Sequence, residues 1–210
     1  MNNILDFLIN LNLLKGKRRR GWHIHDIENG ETTAEHIFHL IFLVWIIGEK
    51  RDDIDTERAI KIAMVHDICE AYAPDLTSYD ALSIKEGEEI NREELGKNIP
   101  EKGRPTTEQR KRLQEVKEKL EEEGLIKLIK PLQNSFKDEI FDLWQEYEKG
   151  ITAEGRFVKQ ADKLINLLQG MEYYKKYGKI EHELWIRRGK EVIDDPSLLE
   201  LLGEIEKKIE

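Results

Sequence analysis

Four residues in the stretch AMVHDICEAYAPD, from Ala63 to Asp75, could do chemistry together: His66, Asp67, Glu70 and Asp75 punctuate an otherwise apolar segment. An uncompensated carboxylate in apolar surroundings is costly, so a solvated face, an ion-pair network or a bound cation must accompany them. On a continuous helix His66 and Glu70 are four apart and Asp67 and Glu70 three apart, which places all three on an arc of about 100° facing one cavity. Adjacent His and Asp can offer an imidazole nitrogen and a carboxylate oxygen to one divalent ion of borderline softness, but two ligands do not hold such an ion firmly. Candidates for the remaining positions are His36, near the start of the apolar run AEHIFHLIFLVWIIGEK, and Asp162, inside the apolar face of RFVKQADKLINLL.

The elements that must aim these side chains have helical hydrophobic spacing nearly throughout. Ile4, Leu5, Leu8, Leu11 and Leu14 form one stripe behind an N-cap at Asn2 or Asn3, and the stripe ends at KGKRRRGW. A second helix is expected from Thr33, with its hydroxyl as cap, to Lys50, and a third from Thr56 to Ala73, where Pro74 stops it. The segment Ser83 to Glu123 is highly charged; its first part reads as a short helix or a mobile loop, whereas Thr106 to Glu123 combines good helix formers with i,i+4 charge pairs. Further helices are expected in KDEIFDLWQEYEKG and TAEGRFVKQADKLINLLQGMEYYKKYG, with a terminal pair over Glu181 to Lys208. No strand-like alternation persists. The expected fold class is all-α, a single domain over residues 1–210 with a charged insertion or extension around 83–123 and C-terminal helices over 181–208.

Composition narrows the function classes. A chain of 210 residues can fill one core, and no Pro/Gly/Ser-rich linker divides it. The lone Cys69 forms no intramolecular disulfide, and neither a signal peptide nor an apolar run of spanning length is visible, so a cytoplasmic protein without membrane association is expected. A net charge of -9 argues against general affinity for nucleic acid. An anionic substrate therefore needs a local positive site, and KGKRRR next to Gly-Trp is the candidate.

The order His36, then His66-Asp67, then Asp162 resembles the H…HD…D signature of HD-domain metal-dependent phosphohydrolases. RRGW, AEH, HDICEAYAPDL, LWQEYE and AEGRFVKQADKL are similar to blocks of the 5'-deoxynucleotidase-like branch, and together they span about Leu5 to Tyr174. The resemblance implies an HD-domain helical bundle, commonly a homodimer, that binds one divalent ion (Mn, Co, Mg, Zn, Fe or Ni) through His36, His66, Asp67 and Asp162. It implies removal of phosphate from deoxyribonucleoside 5'-monophosphates, with Arg19 contacting phosphate, Trp22 beside the sugar, Glu70 paired with the catalytic water and Asp75 near the scissile phosphate. The chain carries Pro74 where the family usually has Gly. A metal-held water of lowered pKa, a guanidinium fork on the phosphate and a positioned carboxylate are together a sufficient chemistry for monoester cleavage.

Blander readings stand beside these. A histidine on an apolar helix face is most often a hydrogen-bonded core residue, and His39, one turn after His36, is a weaker candidate for the same cavity. Glu70 could pair with Arg58 or Lys61, Asp75 could be a turn residue after Pro74, and the Lys/Glu run from Glu108 to Glu123 reads as a solvated helix face. Two other function classes remain open: a phosphodiesterase or triphosphohydrolase for another nucleotide, and a non-enzymic nucleotide-binding module tied together by its ion.

Overall fold

The computed structural model describes residues 2–85, 87–99 and 103–209, Asn2 by its backbone only. Ten α-helices follow one another among these residues: α1 (Asn2–Leu11), α2 (Leu13–Gly16), α3 (Arg20–Ile24), α4 (Thr33–Gly48), α5 (Thr56–Val65), α6 (Thr107–Ile129), α7 (Asn134–Lys149), α8 (Ala153–Tyr177), α9 (His182–Val192) and α10 (Pro196–Ile209). Two 3₁₀ turns, Ile68–Ala71 and Ser78–Ser83, lie between α5 and α6. No strand occurs among the described residues, and an isolated antiparallel bridge joins Arg18 to Thr32. The all-α expectation therefore holds.

Two compact units interleave along the chain. One comprises the residues up to Thr33 together with Ile68–Lys137; the other comprises Ala34–Asp67 together with the chain from Asp138 onward. In the first, α6 packs on both 3₁₀ turns. Gly124 permits that approach, since a Cβ there would lie 2.6 Å from the carbonyl oxygen of Cys69. Leu76, Ala81, Ile84, Leu95 and Leu113 form a buried cluster in this unit, so the charged segment around 83–123 contributes apolar anchors to the core. Positions 86 and 100–102 of that segment lie outside the described residues. In the second unit, α8 packs on α5, α9 and α10.

Local signals explain the boundaries. Thr106 and Gln109 form a reciprocal capping box at α6, which runs past Glu123 to Ile129, and the Thr152 hydroxyl caps α8 by accepting from Gly155 N at 3.0 Å. Two expectations need correction, the cap of α1 and the extent of the third helix. Helix α1 already includes Asn3, so Asn3 does not cap it, and the alternative cap, the side chain of Asn2, lies outside the described residues. The α1 stripe is largely uncovered: Ile4, Leu5 and Leu8 are exposed. The helix expected over Thr56 to Ala73 ends at Val65. There the His66 ring nitrogen Nδ1, 2.8 Å from the Ala63 carbonyl oxygen, engages the acceptor that a continuing helix would offer to Asp67 N–H, and the chain turns before resuming as the 3₁₀ turn.

Candidate functional site

Three helices of the second unit carry the candidate ligands. His36 comes from the first turns of α4, His66 and Asp67 from the turn directly after α5, and Asp162 from the middle of α8. His36, His66 and Asp162 are buried at 0%, 1% and 3% exposure, and the side chain of Asp67 retains 18%. Donor atoms of His36, His66 and Asp67 all lie within 4.8 Å of one another. Asp162 joins them through His36, whose Nε2 is 3.0 Å from Asp162 Oδ1, and His66 Nε2 is 3.0 Å from Asp67 Oδ2.

Proton bookkeeping at His66 bears on what this cluster holds. Its contact with the Ala63 carbonyl assigns the ring proton to Nδ1, so in the neutral ring Nε2 presents a lone pair beside the Asp67 oxygen. Two acceptors at that separation repel unless a proton or a cation lies with them. Two imidazoles and two carboxylates form a donor set that fits a divalent cation of the borderline class. Burial opposes charge on His66, but the adjoining Asp67 carboxylate, with Asp162 beyond it, outweighs burial and raises its pKa above the ordinary imidazole range. Burial likewise works against ionised Asp162, yet neighbouring Lys163 and the bonded His36 hold its pKa well below the usual carboxylate range.

Sequence reasoning missed the residues that support these ligands. Tyr147 donates its hydroxyl to Asp162 Oδ2 at 3.1 Å and packs its ring on His66 with centroids 4.9 Å apart. Burial, together with the Asp162 and Asp67 charges, pushes that phenol well above its usual pKa, so it stays a donor. Asn166 Nδ2 donates to Asp162 Oδ1 at 2.9 Å. Its place one turn after Asp162 was the available signal; nothing in the sequence pointed from Tyr147 to His66. His39 is exposed, unlike His36.

The first unit contains a cleft of about 560 Å³ lined by Lys17, Arg18, Arg19, Tyr72, Asp75 and Lys97, among others. The three arginines of KGKRRRGW separate by environment. All three line the cleft, but Arg18 is exposed and donates to the Gly30 carbonyl, Arg20 is buried against Asp80, and Arg19 is half-buried, its backbone N–H donating to the Glu31 carbonyl at 3.0 Å and its Nε 4.0 Å from Glu31 Oε1. Glu31, another residue absent from the sequence reading, also accepts from the indole N–H of Trp22 at 3.2 Å. Trp22 is 2% exposed and does not line the cleft, so it packs inside the unit instead of presenting an open face to a sugar.

Glu70 and Asp75 belong to this unit too. Glu70 is buried and Oε2 accepts from the Thr33 hydroxyl at 2.8 Å, so that hydroxyl orients a carboxylate where a helix cap was expected. Lys17 Nζ donates to the carbonyls of Glu70 and Ala73, holding the 3₁₀ turn. Asp75 Oδ2 accepts from Arg20 N at 2.7 Å while lining the same cleft as Arg19. Of the two cations weighed as ion-pair partners for Glu70, Arg58 pairs with Glu146, and Lys61 with Glu139 and Glu57.

Comparison with known proteins gives a consistent set of likenesses. The family model described as HD domain matches residues 11–196. The chain is 30% identical to the 5'-deoxynucleotidase HDDC2 of Dictyostelium discoideum over 190 residues, 88% of this chain and 84% of that protein. It is 32% identical to the 5'-deoxynucleotidase YGK1 of Saccharomyces cerevisiae over 176 residues, 84% of this chain and 69% of that one. Among solved structures, a conserved hypothetical protein from Pyrococcus furiosus superposes with a TM-score of 0.65 at 27% identity, covering 97% of this chain and 99% of the other.

Proposed function

Since the chain belongs to the HD domain family, we propose that it is a metal-dependent phosphohydrolase that removes phosphate from deoxyribonucleoside 5'-monophosphates, as the names of the related 5'-deoxynucleotidases indicate. The family match runs through both interleaved units, which supports treating them as one HD domain. The observation that carries the reading is the convergence of His36, His66 and Asp67 donor atoms, with Asp162 Oδ1 3.0 Å from His36 Nε2. These four residues would hold one divalent ion; the imidazole donors suit Zn, Fe or Ni, and the two carboxylates extend the range to Mn. When bound, such an ion supplies a water of lowered pKa and polarises a phosphoryl oxygen.

The chain's own residues do the rest. Arg19 binds the phosphate with its planar fork, held by Glu31, and Trp22 supports that arrangement from inside the unit. Glu70, oriented by Thr33, and Asp75, oriented by Arg20 N–H, divide the proton transfers: one accepts from the attacking water, the other supplies the leaving 5'-oxygen. Local positive charge at Lys17, Arg18 and Arg19 offsets the repulsion between a chain of net charge -9 and an anionic substrate.

The protein works as a cytoplasmic homodimer in this reading. No helix among the described residues is long and apolar enough to cross a membrane. Helix α4 exposes Phe38, Phe42, Trp45 and Ile46 as one stripe, which supports burial against a second copy. Phosphate release from a panel of nucleotides with Mn²⁺, Co²⁺, Mg²⁺ or Zn²⁺ tests the activity. Deoxyribonucleoside 5'-monophosphates should be cleaved and chelator should abolish cleavage; turnover of triphosphates or diesters alone would overturn the assignment.

A further inference from the structure

Leu95, Gly96 and Lys97 contribute a wall to the cleft of the first unit. Leu95 anchors it in the buried cluster, and Gly96 turns it with a φ of +77° that favours glycine. Arg20 then latches it. The guanidinium is nine-tenths buried; Nε lies 2.9 and 3.0 Å from the two oxygens of Asp80, Nη1 donates to the Gly96 carbonyl, and Nη2 donates to Asp80 and to the Asn98 carbonyl. Asp80 is itself fixed by the N–H and hydroxyl of Thr77 at 2.8 and 2.9 Å. A planar fork that ties two carbonyls and a carboxylate is a geometry that lysine cannot reproduce.

Between those two latched carbonyls sits Lys97, which lines the cleft with Arg19 and Asp75. Its ion pair, 3.4 Å to Glu94, joins two side chains that are more than half exposed, a weak contact that a phosphate dianion can replace. We propose that Lys97 is a second anion-binding residue of the substrate cleft and that Arg20 is its positioning residue, holding the wall that presents it. This inference rests on the phosphohydrolase reading for its substrate. Arg20 and Arg19 are thereby assigned different work although they are adjacent: one grips the protein, the other the ligand. Asp75 is held by the backbone N–H of Arg20, so substituting the Arg20 side chain tests the latch without removing that bond.

The test uses the full-length, metal-loaded chain and a probe that cannot be hydrolysed, the methylenephosphonate analogue of deoxyadenosine 5'-monophosphate, titrated calorimetrically alongside steady-state kinetics on the monophosphate. Lys97→Ala should weaken probe binding and raise KM by about 10-fold with kcat unchanged, and Lys97→Arg should recover most of the loss. Arg20→Lys and Arg20→Met should each raise KM similarly, and Lys97→Ala should add little in either background, because the two act as one unit. Probe affinity within about twofold of wild type in Lys97→Ala would overturn the inference, even if the Arg20 variants prove too unstable to measure. Fully multiplicative effects of Arg20 and Lys97 substitutions would overturn the positioning role. Absence of phosphate release from every monophosphate, with probe binding still dependent on Lys97, would defeat the activity reading and leave this anion site standing.

Discussion

His36 Nε2 lies 3.0 Å from Asp162 Oδ1, joining the first turns of α4 to the middle of α8, and the same carboxylate is fixed by Tyr147 and Asn166. Asp162 is therefore oriented from several sides and has little freedom to swing away from the histidine. Ligands held this way keep their geometry when an ion arrives, which lowers the cost of binding it.

Substitution of Asp162 or His66 by Ala should abolish metal retention while leaving most helix content in place, because α8 packs on α5, α9 and α10 and His66 lies just beyond the end of α5. Tyr147→Phe removes the hydroxyl that supports Asp162 and should weaken metal affinity by about 10- to 100-fold, the usual range for such supporting groups. Elemental analysis, chelator competition and circular dichroism on the purified variants check this. Full metal occupancy in His66→Ala would refute the ligand assignment.

Metal affinity should fall as pH falls through the raised pKa of His66. The ring must be neutral to ligate, so a pKa above the ordinary imidazole range lets protons compete at higher pH than usual, with about tenfold loss per pH unit below that pKa for one displaced proton. The metal-free protein has the opposite sign. Protonated His66 beside Asp67 contributes stability that is fully present below the unfolded-state pKa and is lost as pH rises through the raised folded-state value. The increase in melting temperature produced by Mn²⁺ should thus grow as pH rises through the raised folded-state value of His66. A flat increment would show that His66 does not exchange a proton for the ion.

Among the three consecutive arginines, Arg19→Ala should lower kcat/KM most per folded molecule, by about 10- to 100-fold for loss of a charge-assisted fork on phosphate. Arg18→Ala should have little effect. Arg20→Ala should chiefly destabilise the fold, by about 3–5 kcal/mol, since it strands the buried Asp80 carboxylate. Kinetics and thermal melts on the three variants separate these outcomes, and equal small kinetic losses would indicate a diffuse electrostatic patch.

Glu70→Ala should retain metal and nucleotide binding but lose about 10²- to 10⁴-fold in turnover. Thr33→Val, which removes the hydroxyl donated to Glu70, should lower turnover by a smaller factor in the same direction. Single-turnover rates and metal content on both variants decide the point. Near-normal turnover with a lowered melting temperature would assign Glu70 a purely structural role.

Much of the helical layout is legible in the sequence, and for identifiable reasons. Thr106 with Gln109 and Thr152 announce helix starts by local hydrogen bonding, which depends on neighbours in the chain. The order of His36, His66, Asp67 and Asp162 is legible as a family signature. The break at His66 is not, because it depends on a side-chain rotamer reaching the Ala63 carbonyl. Nor is the division of labour among Arg18, Arg19 and Arg20: three identical side chains are sorted by partners such as Asp80 and Gly96, far away in sequence. Tyr147 escaped notice for the same reason, since an aromatic in LWQEYE looks like ordinary core until its hydroxyl is seen on Asp162.

The interleaving of the two units also dictates an order of events at the ribosome. The first unit has all its segments once Lys137 has emerged, whereas Ala34–Asp67 must then still wait for the chain from Asp138 onward. His36, His66 and Asp67 are thus synthesised well before the Asp162 carboxylate that lies beside His36, and a nascent chain arrested after α6 carries the two histidines without that partner. No single cut in the gene releases either unit whole, so the ligand set can be dissected by substitution but not by truncation.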